Sequence, residues 1–417
     1  MDYFQYKDGV YHAEDVSLVA LAEQVGTPFY CYSSATLARH YSVFSNHFPG
    51  AKVCYAVKAN GNLAVIATLA RLGAGADVVS EGEIRLALTA GVKPSDIVFS
   101  GVGKAKSEMS YALGQDIFQF NVESLPELHQ LNDVAAAKNK KARIAVRVNP
   151  DVDPKTHAKI STGQKESKFG VAMVQALDVY RAAKALSHIE IQGVSVHIGS
   201  QLTKLEPFAQ AFARVREFVK ELRAEGIAIR TLDLGGGLGI PYGQDEPPLP
   251  DAYAEIVKRE INGLDVQLIF EPGRVLVGNA GILVTRVMYV KQSQSRVFVI
   301  VDAAMNDLIR PTLYDAFHEI KPVVAPTGDT KTELVDIVGP VCETGDIFAE
   351  QRLLKVPQAG DLLVLRSAGA YGASMASTYN ARPLVAEVMV SGKQHELVRP
   401  RQTYEELIGR DKLPSWL

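Results

Sequence analysis

The chain is poor in cysteine and nearly devoid of tryptophan, with three of the first and one of the second in 417 residues. Cys31, Cys54 and Cys342 are odd in number and widely spaced. That argues against a disulfide framework and fits reduced thiols, so the expected location is the cytoplasm. Neither sign of charge dominates: 44 basic against 47 acidic residues leave a net −3, which removes the electrostatic case for nucleic acid or an anionic membrane. No apolar run approaches the roughly 20 residues that span a bilayer. The start, Met1-Asp-Tyr-Phe-Gln-Tyr-Lys7, has neither the basic nor the apolar region of a secretory signal. The nine histidines show no paired spacing that suggests a metal site, so none is expected, and no long low-complexity segment is present. What is there, 47% hydrophobic residues over this length, predicts a globular protein with core enough for two domains.

The middle of the chain has a rhythm. Short β-branched or aromatic runs occur at 52–57, 76–80, 96–100, 117–122, 143–149, 191–198, 231–235 and 267–271. Stretches with helical periodicity lie between them, such as 80–91 and 208–226, each closed by a glycine. Strands alternating with helices imply a parallel sheet, and eight of them match an α/β fold of the TIM-like (β/α)8 barrel type. An open doubly wound sheet is the weaker alternative, because no glycine-rich dinucleotide fingerprint follows the first strand. After Arg274 the runs 282–290, 296–301, 333–338, 361–365 and 383–390 read as strands with little helix between them, which predicts a second, mainly β C-terminal domain. The expected division is a barrel over 34–278 and a β-sandwich or barrel-like domain over 279–417 joined by 1–33. Within 1–33 an amphipathic helix is expected at 16–26 and a strand at 29–32.

Barrels of this kind place their chemistry where strands end. Lys58 ends the first run, His197 the sixth, Asp233-Leu-Gly-Gly-Gly237 the seventh and Glu271-Pro-Gly273-Arg274 the eighth. A lysine at the end of a buried strand is costly, and a desolvated amine tends to lose its proton and become a nucleophile suited to Schiff-base chemistry. The bland alternative is a lysine that has reached solvent just past its strand. Gly235, Gly236 and Gly237 leave backbone N–H groups uncovered and are expected to form an anion cradle, the alternative being a tight turn with no ligand. Glu271 at a buried strand end calls for a cation, either a protonated ring nitrogen or Arg274. His197 is either a core histidine or a flat ring stacking on a flat cofactor.

These residues carry a resemblance. Tyr55-Ala-Val-Lys-Ala-Asn60, His197-Ile-Gly-Ser-Gln201, Gly235-Gly-Gly237, Glu271-Pro-Gly-Arg274, Asn306-Asp-Leu-Ile-Arg-Pro-Thr-Leu-Tyr314, Cys342-Glu-Thr-Gly-Asp346 and Ala370-Tyr-Gly-Ala-Ser-Met375 stand in one order over nearly the whole chain. In them the chain resembles the fold-type III, alanine-racemase-fold decarboxylases that depend on pyridoxal 5'-phosphate. One small departure is Glu81 in Ser80-Glu-Gly-Glu83, where a glycine is more usual.

The resemblance implies a homodimer whose active sites are shared between subunits. It implies that Lys58 is the amine that condenses with the cofactor, that the glycine loop with Ser200 and Tyr371 holds the phosphate, and that Glu271 partners the pyridine nitrogen, with His197, Gly273 and Arg274 also lining the cofactor. It further implies that Arg274, Arg310, Tyr314 and Tyr371 contact the amino-acid substrate. Glu343 would take the distal amine and Cys342 would return a proton, both from the partner subunit; a thiol that keeps its proton at neutral pH suits that role. Arg310 and Tyr314 offer a cation and a hydroxyl, which suit a second carboxylate and favour meso-diaminopimelate, decarboxylated to L-lysine, over ornithine or arginine. A racemase on the same architecture calls for a cation in place of Glu271, and a cofactor-free aldolase would use the same lysine.

Overall fold

The computed structural model describes residues 2–153, 168–243, 245–327 and 331–417, which fall into two compact units. One comprises 38–241 and 246–276; the other comprises 1–37, 242–245 and 277–417.

The first unit is a closed parallel barrel. Its strands are β1 (Lys52–Ala56), β2 (Gly75–Val78), β3 (Ile97–Phe99), β4 (Gln119–Val122), β5 (Ala142–Asn149), β6 (Ile189–Val196), β7 (Thr231–Asp233) and β8 (Gln267–Phe270). Each pairs in parallel with the next, and β8 returns to β1 through Ile269 with Lys52 and Phe270 with Val53. All eight runs expected from the sequence are strands, and a two-residue strand, Val171–Ala172, adds to the edge of β5. Three of the crossover helices begin on polar caps: Asn62 accepts from Ala64 N–H, Ser80 from Glu83 N–H and Ser124 from Glu127 N–H, each satisfying a donor the helix cannot. The helix expected at 208–226 runs over Glu206–Ala224 and buries Phe208, Phe212, Val215, Phe218, Val219 and Leu222. It meets Phe44, Phe48, Tyr253 and Phe270 in an aromatic cluster, with Phe48 and Phe270 centroids 4.2 Å apart. Edge and tilted contacts of this kind anchor helices to the barrel wall.

The barrel interior is polar at alternate strand positions, as a period of two requires. Gln119 donates to Asn121 (2.8 Å) and accepts from Thr231 (3.0 Å), and Asn121 donates to Asp233 at 2.8 Å. Such a layer is tolerable only because its members satisfy one another.

The second unit is mainly β. A three-stranded sheet (Phe4–Lys7, Val10–Ala13, Val16–Ser17) accompanies a nine-stranded one built on the long strand Gly281–Gln292. All five runs expected after Arg274 are strands, but Ile320–Pro322, Ile347–Lys355 and Gln394–Arg399 were not foreseen. The last two are edge strands whose charged residues break the apolar pattern, Glu350, Arg352 and Lys355 in one and Glu396 and Arg399 in the other. The helix expected at 16–26 starts later, at Leu18–Val25, because Val16 and Ser17 pair with Ala13 and His12. Phe29–Ser33 is a fully buried strand between Gly281–Gln292 and Ala386–Ser391. Among the described residues no helix is long and apolar enough to cross a membrane.

Candidate active site

Lys58 follows β1 on a short 3-10 turn, Val57–Ala59. Its ammonium lies 3.0 Å from Asp77 Oδ2 at the end of β2, with the lysine side chain 40% exposed and the aspartate fully buried. The expectation of a desolvated, proton-losing amine is therefore corrected: the turn lifts the side chain out of the wall, and an adjacent carboxylate favours the charged form. Gly273 packs closely behind this turn, where a Cβ would meet Ala59 and Ala56 at 3.1 and 3.2 Å.

The glycine loop after β7 packs more tightly than a simple cradle. A Cβ on Gly236 would sit 2.3 Å from the Glu271 carbonyl, so only glycine lets β7 and β8 end side by side. Gly235 N–H donates to Asp233 Oδ1 (2.9 Å) and Gly236 N–H to His197 Nδ1 (3.2 Å). Two of the three N–H groups are thus already used. Because Nδ1 accepts, the His197 ring carries its proton on Nε2 and is neutral. Burial, reinforced by Arg147 and Lys58, holds this imidazole well below the usual histidine range. Ser200 Oγ accepts from Arg274 Nη2 at 3.2 Å, which places two more of the expected residues together.

Glu271 is buried, and its Oε1 accepts from Ser100 (3.2 Å) and Asn121 (3.1 Å). Burial and the neighbouring Asp233 and Asp77 carboxylates raise it well above the usual range, against the pull of Lys58. Burial raises Asp233 too. Among the described residues no group of three or more His, Cys, Asp or Glu could hold a metal ion.

The other expected residues lie in the second unit. Arg310 opens the helix Arg310–Tyr314, which Tyr314 ends. The guanidinium is buried, donates from Nη1 to His318 Nε2 (2.9 Å) and lies 4.6 Å over the Tyr242 ring. Thr312 Oγ1 donates to the Gly345 carbonyl (2.7 Å), tying that helix to the loop bearing Cys342 and Glu343. Cys342 is exposed, as expected of a loop thiol, and its N–H donates to Asn380 Oδ1 at 2.9 Å. The Tyr379 hydroxyl is hydrogen-bonded to Glu343, which holds the phenol above its usual range. Buried Asp346 closes the loop by accepting from Val341 and Met305 N–H. Tyr371 adopts φ +56°, a left-handed backbone that costs a bulky residue energy and is found where function demands it.

Residues 34–278 match the family model of the pyridoxal-dependent decarboxylases, pyridoxal-binding domain. The diaminopimelate decarboxylase of Zymomonas mobilis is 51% identical over 421 residues, covering 99% of both chains. That of Vibrio cholerae is 52% identical, covering 98% of each. The chain belongs to the diaminopimelate decarboxylase family. The fold agrees: the crystal structure of the M. jannaschii diaminopimelate decarboxylase in co-complex with L-lysine superposes with a TM-score of 0.95 at 39% identity, covering 100% of this chain and 99% of that one.

The enzyme is thus a carboxy-lyase dependent on pyridoxal phosphate, and the residues present fit that cofactor. Asp77, Asp233 and Glu271 outnumber the single lysine beside them, which leaves room for the positive charge of a protonated ring nitrogen. Among the described residues the buried barrel atoms without a hydrogen-bond partner include Asp77 Oδ1 and Arg147 Nη2, as suits a site completed by a polar ligand.

Sequence reasoning assigned no role to Asp77, Ser100, Asn121, Arg147, Asp233, Tyr242, His318, Tyr379 or Asn380. For Asp77, Asn121 and Asp233 a signal existed, a polar residue inside an apolar strand.

Proposed function

We propose that this enzyme removes one carboxylate of meso-2,6-diaminopimelate as carbon dioxide and releases L-lysine. The observation that supports this reading best is Arg310, a buried guanidinium held by a histidine and a tyrosine ring. A fixed, planar cation suits a second carboxylate, and a substrate without one would forfeit that pairing. Within this reading Lys58 anchors the cofactor, Asp77 holds the amine in place, and the neutral His197 ring offers a flat face. Gly237 N–H, Ser200, Arg274 and Tyr371 hold the phosphate, with Gly235, Gly236 and Gly273 shaping the loops around it. Glu271 partners the ring nitrogen. When bound, pyridoxal phosphate supplies the electron sink for the charge left as carbon dioxide departs. Cys342 Sγ then delivers a proton to the carbon that lost its carboxylate. Arg310, with Arg274 and Tyr314, binds the substrate's carboxylates, and Glu343 takes the distal amine.

The same reading makes the enzyme a cytoplasmic homodimer in which Cys342 and Glu343 serve the partner's site. Mixing a Lys58→Ala with a Cys342→Ala variant tests this: shared sites regain activity on subunit exchange, and self-contained sites do not. The substrate is tested by carbon dioxide release from diaminopimelate, ornithine and arginine side by side. Equal rates on ornithine would end the assignment.

A further inference from the structure

We infer that His318, backed by Tyr242, is a specificity-determining positioning residue: it fixes Arg310 in the orientation that recognises the distal carboxylate. The inference rests on the reading of Arg310 given above. His318 is fully buried. Its Nδ1 lies 2.8 Å from the Arg366 carbonyl, and its Nε2 lies 2.9 Å from Arg310 Nη1. An arginine has no acceptor and a carbonyl no donor, so both roles are fixed. Nδ1–H donates to the carbonyl, and the Nε2 lone pair accepts from the guanidinium.

The His318 ring is itself held edge-on to Tyr242, centroids 5.4 Å apart at 83°, and the same tyrosine ring underlies the Arg310 guanidinium at 4.6 Å. Arg310 is therefore held along one edge by an acceptor and beneath by a π face. Removing one long side chain's freedom in advance lowers what the substrate must spend on ordering it. Both residues act through Arg310, so the effect belongs to binding of the far end.

Decarboxylation at one end of diaminopimelate leaves the other amino-acid end intact, so L-lysine keeps the carboxylate in question while cadaverine lacks both. The test measures kcat and KM for meso-diaminopimelate on the holoenzyme, together with calorimetric binding of L-lysine and cadaverine. His318→Leu is expected to raise KM and weaken L-lysine binding by about tenfold, the loss of one charged hydrogen bond. The effect falls on KM rather than kcat, as for uniform binding, and cadaverine affinity does not change. His318→Gln, which keeps an acceptor near the Nε2 position, recovers most of the loss. In an Arg310→Ala background His318→Leu adds nothing further.

If Arg310→Ala raises KM while His318→Leu does not, or if the two effects multiply, this inference fails and the reading of Arg310 stands. If Arg310→Ala itself leaves KM and L-lysine affinity unchanged, the reading fails and takes the inference with it. Should His318→Leu not fold, Tyr242→Leu decides the matter: it is expected to raise KM about threefold through loss of the cation–π contact, and an unchanged KM overturns the inference.

Discussion

In the barrel, three buried carboxylates, Asp77, Asp233 and Glu271, stand around one half-exposed lysine. In the other unit a single buried cation, Arg310, is fixed by a neutral imidazole and an aromatic ring. The two regions solve opposite problems. The barrel tolerates excess negative charge because Asn121 and Ser100 donate to it and because burial pushes Glu271 toward its neutral form. The second unit keeps a cation buried by giving its guanidinium an imidazole acceptor along one edge and a π face beneath. One region thus suits a positively charged ring and the other a carboxylate, the two charges a diamino-dicarboxylate reaction brings together.

The sharpest way to break this contrast is to remove the lysine. Lys58→Ala is expected to cut carbon dioxide release on the order of 10⁴-fold or more, as removal of a covalent anchor does. Near-normal turnover would show that the acidic cluster serves some other cation. On the opposite side, Cys342→Ala is expected to slow lysine formation on the order of 10²–10³-fold, the usual contribution of a positioned acid, while the cofactor's absorbance near its wild-type position persists. An unchanged rate would move the proton donor elsewhere and weaken the role given to the second unit's loops.

Much of the barrel side was open to a reader of the sequence, and the reason is local periodicity. Lys58, His197, Gly235 and Glu271 each follow a run of apolar residues, so a strand count alone brings their positions to one mouth. Asn121 and Asp233 obey the same logic, since both sit two residues after another inward polar group, Gln119 and Thr231. Read for alternation rather than for hydrophobicity, they would have been found. His318 was not accessible in this way. It lies in Asp315-Ala-Phe-His-Glu319, where no pattern marks it, and its function comes from Arg366 and Tyr242, 48 and 76 positions away. Asn380, whose partner is Cys342, is hidden for the same reason. Strand-borne chemistry has a period; loop-borne chemistry depends on which loops meet.

Asn121 sharpens the barrel side. Asn121→Ala withdraws the amide from both Asp233 and Glu271 and leaves two buried carboxylates with fewer donors. A loss of about 3 kcal/mol in unfolding free energy is expected from denaturant titration. A loss near zero would mean that the pair is satisfied without this amide. Glu83 offers a pH-dependent version. Burial, with Asp77 adding to it, raises this carboxyl from 4.5 to about 7, against the pull of Lys58 and the Val79 N–H. The folded state therefore holds the proton more tightly than the unfolded chain. Stability from this group is present below pH 4.5 and is lost as pH rises toward 7, by on the order of 2 kcal/mol. Glu83→Gln should flatten that fall in a pH series of melts, and an identical slope would place the titration elsewhere.

The smallest expected effect tests the loop side alone. Thr312 Oγ1 donates to the Gly345 carbonyl across 2.7 Å and so joins the Arg310–Tyr314 helix to the Cys342–Asp346 loop. Thr312→Val keeps the shape and the β-branch but removes the hydroxyl, leaving the carbonyl to find another donor. The half-buried setting limits the cost to about 1 kcal/mol, a shift of a few degrees in melting temperature. What matters is where the kinetic change falls. If the helix and loop act as one rigid piece, the variant alters KM for diaminopimelate and the rate of lysine formation together. A change in KM alone would show that the loop keeps its place without the helix, and that only the carboxylate-binding half of the second unit depends on this bond.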